Sequence, residues 1–244
     1  MGEVIALLSG KGGTGKTSLC AGIATALAAE GKRVLCIDCD AGLRNLDLML
    51  GLSELAALSY EDVCSGGYPL GKAAVHPLYP TCSFLTAPMN VAAEQIDADA
   101  FREMLKKAKK EFDYIFLDAP SGIGSGFSMS AEGADRVVLV SGYDPGAVRN
   151  ASRAAQELEL MGKTRVQLII NRLEKKMFAA MKLTVDDIID EVGVPLLGIV
   201  PEDEQVTLAI AAKKPLMKQT KKGAAAACIR IAKRLQGKEQ KISI

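Results

Sequence analysis

Four glycines, two lysines and two threonines fill eight consecutive positions near the amino terminus, Gly10-Lys11-Gly12-Gly13-Thr14-Gly15-Lys16-Thr17. Residues of these types at this spacing suit the chemistry of polyphosphates. The glycines let the backbone curl until its N–H groups converge on phosphate oxygens. A helix opening near Lys16 adds unpaired amides and a partial positive charge. Lys16 would reach the β and γ phosphates, the Thr17 hydroxyl would ligate Mg²⁺, and Ser18 adjoins them on the same turn. The pattern carries weight only between a strand and a helix, and both are present. Glu3–Leu8 is an apolar strand. Lys16–Glu30 is a helix with Leu19, Ile23 and Leu27 on one face and Gly31 as its stop. ATP and Mg²⁺ are therefore the expected ligands.

The metal needs an acidic partner at the end of another strand. Tyr114-Ile115-Phe116-Leu117 sets a strand in the sheet and Asp118 emerges at its carboxyl end, where such sheets bind ligands. A second acidic pair, Asp38 and Asp40, follows the strand Val34–Ile37. Asp38 would hold a metal-bound water and Asp40 would orient the attacking water. The competing reading makes both carboxylates mere caps of the next turn.

Other reactive side chains fit packing better than chemistry. Cys36 and Cys39 have the C-x-x-C spacing, but they end an apolar strand, where residues three apart face opposite ways. The six cysteines are scattered and suggest reduced thiols rather than a disulfide framework. His76 is the only histidine. It falls in Ser65–Thr81, a stretch with paired glycines and three prolines that reads as a surface loop, and it is expected to be exposed.

Strands must position these groups. Apolar runs at Val4–Leu8, Val34–Ile37, Ser83–Thr86, Tyr114–Leu117, Val137–Val140, Val166–Ile170 and Leu196–Val200 alternate with helix-period segments. Continuous apolar runs fit strands buried on both faces of a parallel sheet. Helices are expected after Asp97 or Asp99, from a cap at Asp144 with Pro145 in the first turn, and from Thr184 to Gly193. The alternation predicts an α/β fold, a doubly wound and mostly parallel sheet flanked by helices, as a single domain over residues 1–244. With 49% apolar residues the chain can fill a substantial core, and the absence of Trp argues against base-stacking surfaces. No signal peptide or spanning helix is evident, which predicts a cytoplasmic protein.

Charge is uneven. From Lys213 onward ten basic residues face one acid, Glu239, a balance of +9. With a total of +1, the first 212 residues carry −8. The last helix, at about 221–236, has a narrow stripe of Ile229, Ala232 and Leu235 flanked by Arg230, Lys233 and Arg234. This reads as packing on the domain rather than lipid insertion.

The second lysine of the glycine loop, Lys11, resembles the deviant P-loop of the MinD/ParA superfamily. Asp38-Cys39-Asp40-Ala41-Gly42-Leu43-Arg44-Asn45-Leu46-Asp47-Leu48-Met49-Leu50-Gly51 is similar to the switch I region of its MinD branch, and Asp118-Ala119-Pro120-Ser121-Gly122-Ile123 to its Walker B and switch II. Asn171-Arg172 matches an adenine-contacting Asn, and Pro201-Glu202-Asp203 a base-binding loop. The likeness covers residues 2 to 236. It implies an ATPase that forms an ATP-dependent homodimer, with Lys11 reaching the partner's phosphates, Lys16 and Asp40 sharing the catalytic work, and a low rate without a partner. It also implies cell-division partners resembling MinC and MinE. A flagellar-number regulator usually carries an N-terminal extension that is missing here. A ParA-like partition protein usually has Pro-Gln where this chain has Ala41-Gly42, so DNA is not the expected partner. The sequence departs from the MinD pattern at Thr14, where Val is usual, and at the flexible Gly124-Ser125-Gly126. It also stops at Lys241-Ile242-Ser243-Ile244, whereas the branch usually continues into a membrane-targeting helix. Weak association with the anionic inner face of the cell membrane is the most that the tail implies.

Overall fold

A computed structural model describes residues 1–89 and 95–242. Among them, eight strands form one sheet in the order β3-β4-β2-β5-β1-β6-β7-β8. The strands are β1 (Glu3–Leu8), β2 (Val34–Asp38), β3 (Ala74–Val75), β4 (Cys82–Leu85), β5 (Tyr114–Asp118), β6 (Arg136–Ser141), β7 (Val166–Leu173) and β8 (Leu196–Pro201). Every pairing is parallel except that of β3 with β4. The chain leaves β1 toward β2 on one side and crosses from β5 to β6 on the other. The carboxyl end of β1 is thus a topological switch point, the usual ligand crevice of open α/β sheets.

Side-chain alternation divides the core. Val4, Ala6 and Leu8 face one layer, Ile5 and Leu7 the other. The first layer is closed by α4 (Ala98–Glu111), α5 (Ser125–Gly133), α6 (Pro145–Leu160) and α8 (Val185–Val192), through Phe101, Phe127, Leu158 and Ile188. The second is closed by α1 (Lys16–Ala29), α9 (Glu204–Ala211), α10 (Leu216–Gln219) and α11 (Gly223–Leu235). The short helices α2 (Leu46–Leu50), α3 (Tyr60–Cys64) and α7 (Lys175–Ala180) lie in the connections. Cys36 and Cys39 fall in opposite layers, both buried.

Helix starts follow their local signals. Asp97, Asp144 and Thr184 each accept backbone N–H bonds as N-caps, and Gly193 stops α8 in the left-handed region at φ 75°. The terminal helix begins two residues later than expected, at Gly223. Its Ala232 and Leu235 are buried against the body of the protein, with Ile229 packed partly alongside. Ser243 and Ile244 lie outside the described residues, and no described helix is long and apolar enough to cross a membrane.

One expectation fails. The Ser65–Thr81 stretch holds a short 3₁₀ turn and the edge strand β3, and His76 is not exposed but 1% accessible. Its Nε2 lies 3.0 Å from the Leu50 carbonyl, to which it donates, while the Leu78 amide donates to Nδ1 at 3.1 Å. The Tyr79 ring meets the imidazole edge-on. A neutral imidazole with both nitrogens satisfied is inexpensive to bury. Burial is also the main reason its pKa is lowered.

Candidate functional site

The site is built at the carboxyl ends of β1, β5 and β2. From Leu8 the chain enters the glycine loop, and Gly13 and Gly15 adopt φ 78° and 85°, a region costly for residues with a Cβ. Lys16 opens α1 and is buried. Burial pulls its pKa down, and the charges of Asp118 and Asp40 oppose that pull. Asp118 ends β5 and Asp38 ends β2, directly opposite each other in the parallel register. Burial is the first cause of the rise in both carboxyls, to about 7 for Asp118 and about 6 for Asp38. Asp38 raises Asp118 further, while the Thr17 hydroxyl and Lys16 lower it.

Asp118 Oδ1 is buried without a hydrogen-bond partner. Such an atom is costly unless something completes it. A cation held by this oxygen and the Thr17 hydroxyl would do so, and the residues present fit magnesium. Among the described residues no three His, Cys, Asp or Glu side chains are grouped so that they could hold a metal ion by themselves. A sparse protein set suits Mg²⁺, which keeps waters and takes phosphate oxygens.

Asp38 and Asp40 also perform the turn-capping of the competing reading. Asp38 Oδ1 accepts from the Asp40 amide at 2.9 Å and Oδ2 from the Leu46 amide at 3.1 Å, which ties it to the start of α2. Asp40 Oδ1 accepts from Gly42 and Leu43, both at 3.2 Å. In the segment after β2, Arg44 takes φ 49° and donates to Thr86 Oγ1 at 3.0 Å. The segment after β5 leans on the loop, with the Gly122 amide donating to Ser9 O at 3.1 Å.

Two clefts flank the loop. The larger, about 560 Å³, has Lys11 and Thr14 on its floor and Tyr143, Met177 and Met181 among its walls. The smaller, about 200 Å³, runs from Gly15 and Ser18 to Pro201, Asp203 and Val206. Asn171, Arg172 and Glu202 border both. Lys11, half exposed, stands 3.8 Å from Asp144. The pairing of β7 with β8 is interrupted between Ile170 and Leu173, and Arg172 takes φ 59°. This irregularity aims both Asn171 and Arg172 back at the loop.

The structure therefore brings Lys16, Thr17, Asp38, Asp40 and Asp118 together and sets Lys11 apart from them on the rim. Ser18 donates to Met49 Sδ at 3.3 Å. Asp203 caps α9 through Gln205 and also accepts from the Ala224 amide at 2.8 Å, so its carboxylate ties two helices together. Glu202 holds Arg172 through two contacts, at 2.7 and 3.2 Å. Sequence reasoning missed the Lys11–Asp144 and Arg172–Glu202 pairs. Both link distant segments, and only the acid two residues before α9 could have hinted at the second.

A family model described as the CobQ/CobB/MinD/ParA nucleotide binding domain matches residues 5–216. The chain is 36% identical over 242 residues to the septum site-determining protein MinD of Synechocystis, covering 98% of this chain and 91% of that protein. Among solved structures it superposes with a TM-score of 0.91 and 34% identity on a chain of the MinC:MinD cell division complex of Aquifex aeolicus, covering 99% and 98%. The septum site-determining MinD of Pyrococcus horikoshii, complexed with Mg-ADP, follows at 25% identity and a TM-score of 0.82, covering 96% of each chain.

Proposed function

From the premise that this chain belongs to the CobQ/CobB/MinD/ParA nucleotide-binding family, we propose that it is a MinD-type ATPase switch governing placement of the division septum. The observation that carries this reading is the cluster of buried Lys16 and Asp118 with the half-buried Thr17 beside the glycine loop, with Lys11 turned to the rim. Near-full-length likeness to MinD proteins favours this function over flagellar-number control or DNA partition.

Residues 10–18 bind the triphosphate of ATP, the loop amides and Lys16 neutralising its β and γ oxygens. Thr17, Asp118 and Asp38 would hold magnesium, which would supply charge neutralisation at the phosphates. Asn171, Arg172 and the 201–203 loop border the base. Asp40 orients the attacking water. Lys11, weakly held by a half-exposed pair, swings to the phosphates of a second copy and stabilises the transferring group there. Turnover is slow alone because Asp40 is engaged in its own turn, and a partner must fix it in place. A MinC-like protein docks on the dimer, a MinE-like protein stimulates hydrolysis, and the basic segment from Lys213 adds weak attraction to anionic membrane. Residues 1–244 act as one ATPase domain.

Light scattering with ATP and with ADP tests the switch. The wild type should dimerise with ATP alone, and Lys11→Ala should bind nucleotide yet stay monomeric and hydrolyse poorly. Normal dimerisation and turnover by Lys11→Ala would refute the role in trans.

A further inference from the structure

Three side chains, one at the loop's first residue and two from β7, each donate to a different carbonyl of the loop. Ser9 Oγ donates to Lys11 O at 2.8 Å. Asn171 Nδ2 donates to Thr14 O at 2.8 Å, and Arg172 Nη1 to Gly13 O at 3.4 Å. Ser9 and Asn171 are buried. Asn171 lies so close that a Cβ on Gly15 would come within 2.3 Å of its Nδ2. Arg172 is fixed from behind by both oxygens of Glu202.

A trans peptide points its C=O and its N–H in opposite directions. Holding the carbonyl of residue 11 on one side turns the amide of Gly12 to the other. The bonds to residues 13 and 14 do the same for the amides of Thr14 and Gly15. We infer that Ser9, Asn171 and Arg172 are positioning residues that set the peptide planes of the loop before any nucleotide arrives, so that the amides of Gly12, Thr14 and Gly15 converge on the triphosphate. The left-handed backbone of Arg172 and the break in the β7–β8 ladder are local costs that serve this placement. Asn171 keeps its side-chain oxygen for a base, but its nitrogen works on the phosphate loop.

The inference rests on the triphosphate reading above and predicts something that reading does not. A residue that only touches the base matters for ATP and not for a base-free triphosphate. A residue that aims loop amides matters equally for both. The experiment is calorimetry of ATP and inorganic tripolyphosphate, each with Mg²⁺, on wild type, Asn171→Ala, Arg172→Ala and Ser9→Ala, with unfolding midpoints measured without ligand. Each folded variant should weaken tripolyphosphate, roughly two- to tenfold for one lost hydrogen bond, and Ser9→Ala, which borders no base, should weaken ATP by the same factor. Tripolyphosphate affinity unchanged in the folded variants would overturn the inference, whether or not ATP affinity falls. Should Asn171→Ala fail to fold, Ser9→Ala decides by the same criterion, because its hydroxyl acts on a separate carbonyl. Absence of ATP binding by the wild type would instead defeat the triphosphate reading itself.

Discussion

The two ends of the sheet treat the same residue types in opposite ways. At the amino end every strand-edge acid in the cluster is answered. Glu3 holds Arg136 and Arg165, and Asp135 holds Lys109 and the Val4 amide. Asp113 takes the Arg33 backbone and guanidinium, and these bonds lower its pKa. At the carboxyl end Asp38 and Asp118 lie side by side, buried and raised, against a single buried lysine. One end stabilises the fold as it stands. The other is left electrostatically incomplete, and its completion is the binding of a cation and a polyphosphate.

The sharpest way to break this contrast is to remove Lys16. Lys16→Ala should weaken Mg-ATP binding by about 2–5 kcal/mol, read by calorimetry, because it strips the buried partner from a polyanion. Next in size is the pH response of the ligand-free protein. Both raised carboxyls are most stable when protonated, so their contribution is complete below about pH 4. It is lost as pH rises through about 6 for Asp38 and about 7 for Asp118. Asp118→Asn should therefore stabilise the ligand-free fold at pH 8 by about 1–3 kcal/mol, flatten the pH dependence of denaturant unfolding and abolish the effect of Mg²⁺ on ATP binding. A variant less stable than wild type at pH 8 would refute the unsatisfied-charge account. Asp40→Ala should leave ATP-bound dimers in place on a sizing column while phosphate release falls at least tenfold. The smallest effect belongs to the amino end. Glu3→Gln should cost about 0.5–1 kcal/mol in denaturant unfolding and leave ATP affinity unchanged.

The same contrast explains what could be read from sequence. The glycine loop, the acids at strand ends and the caps at Asp97, Asp144 and Thr184 are local patterns, each decided within a few residues by backbone geometry. The alternation of apolar runs sufficed for the seven parallel strands, because buried parallel strands need no long-range information to look apolar, but not for β3, a two-residue antiparallel edge strand. His76 was misplaced because its partner Leu50 reaches it only through tertiary packing, and a turn-rich stretch looks exposed from within. Asn171 could be matched to a base contact, but its bond to Thr14 spans 157 positions and depends on the backbone break at Arg172. Nothing in the residue types announces a left-handed arginine.

The central claim is that the incomplete end of the sheet is completed by magnesium and a triphosphate. Titration of ATP into the wild-type chain by calorimetry, with and without Mg²⁺, tests it most directly. The account predicts saturable heat at one ATP per chain that requires both Mg²⁺ and Lys16. No heat with Mg-ATP, or equal heat from Lys16→Ala, would contradict it.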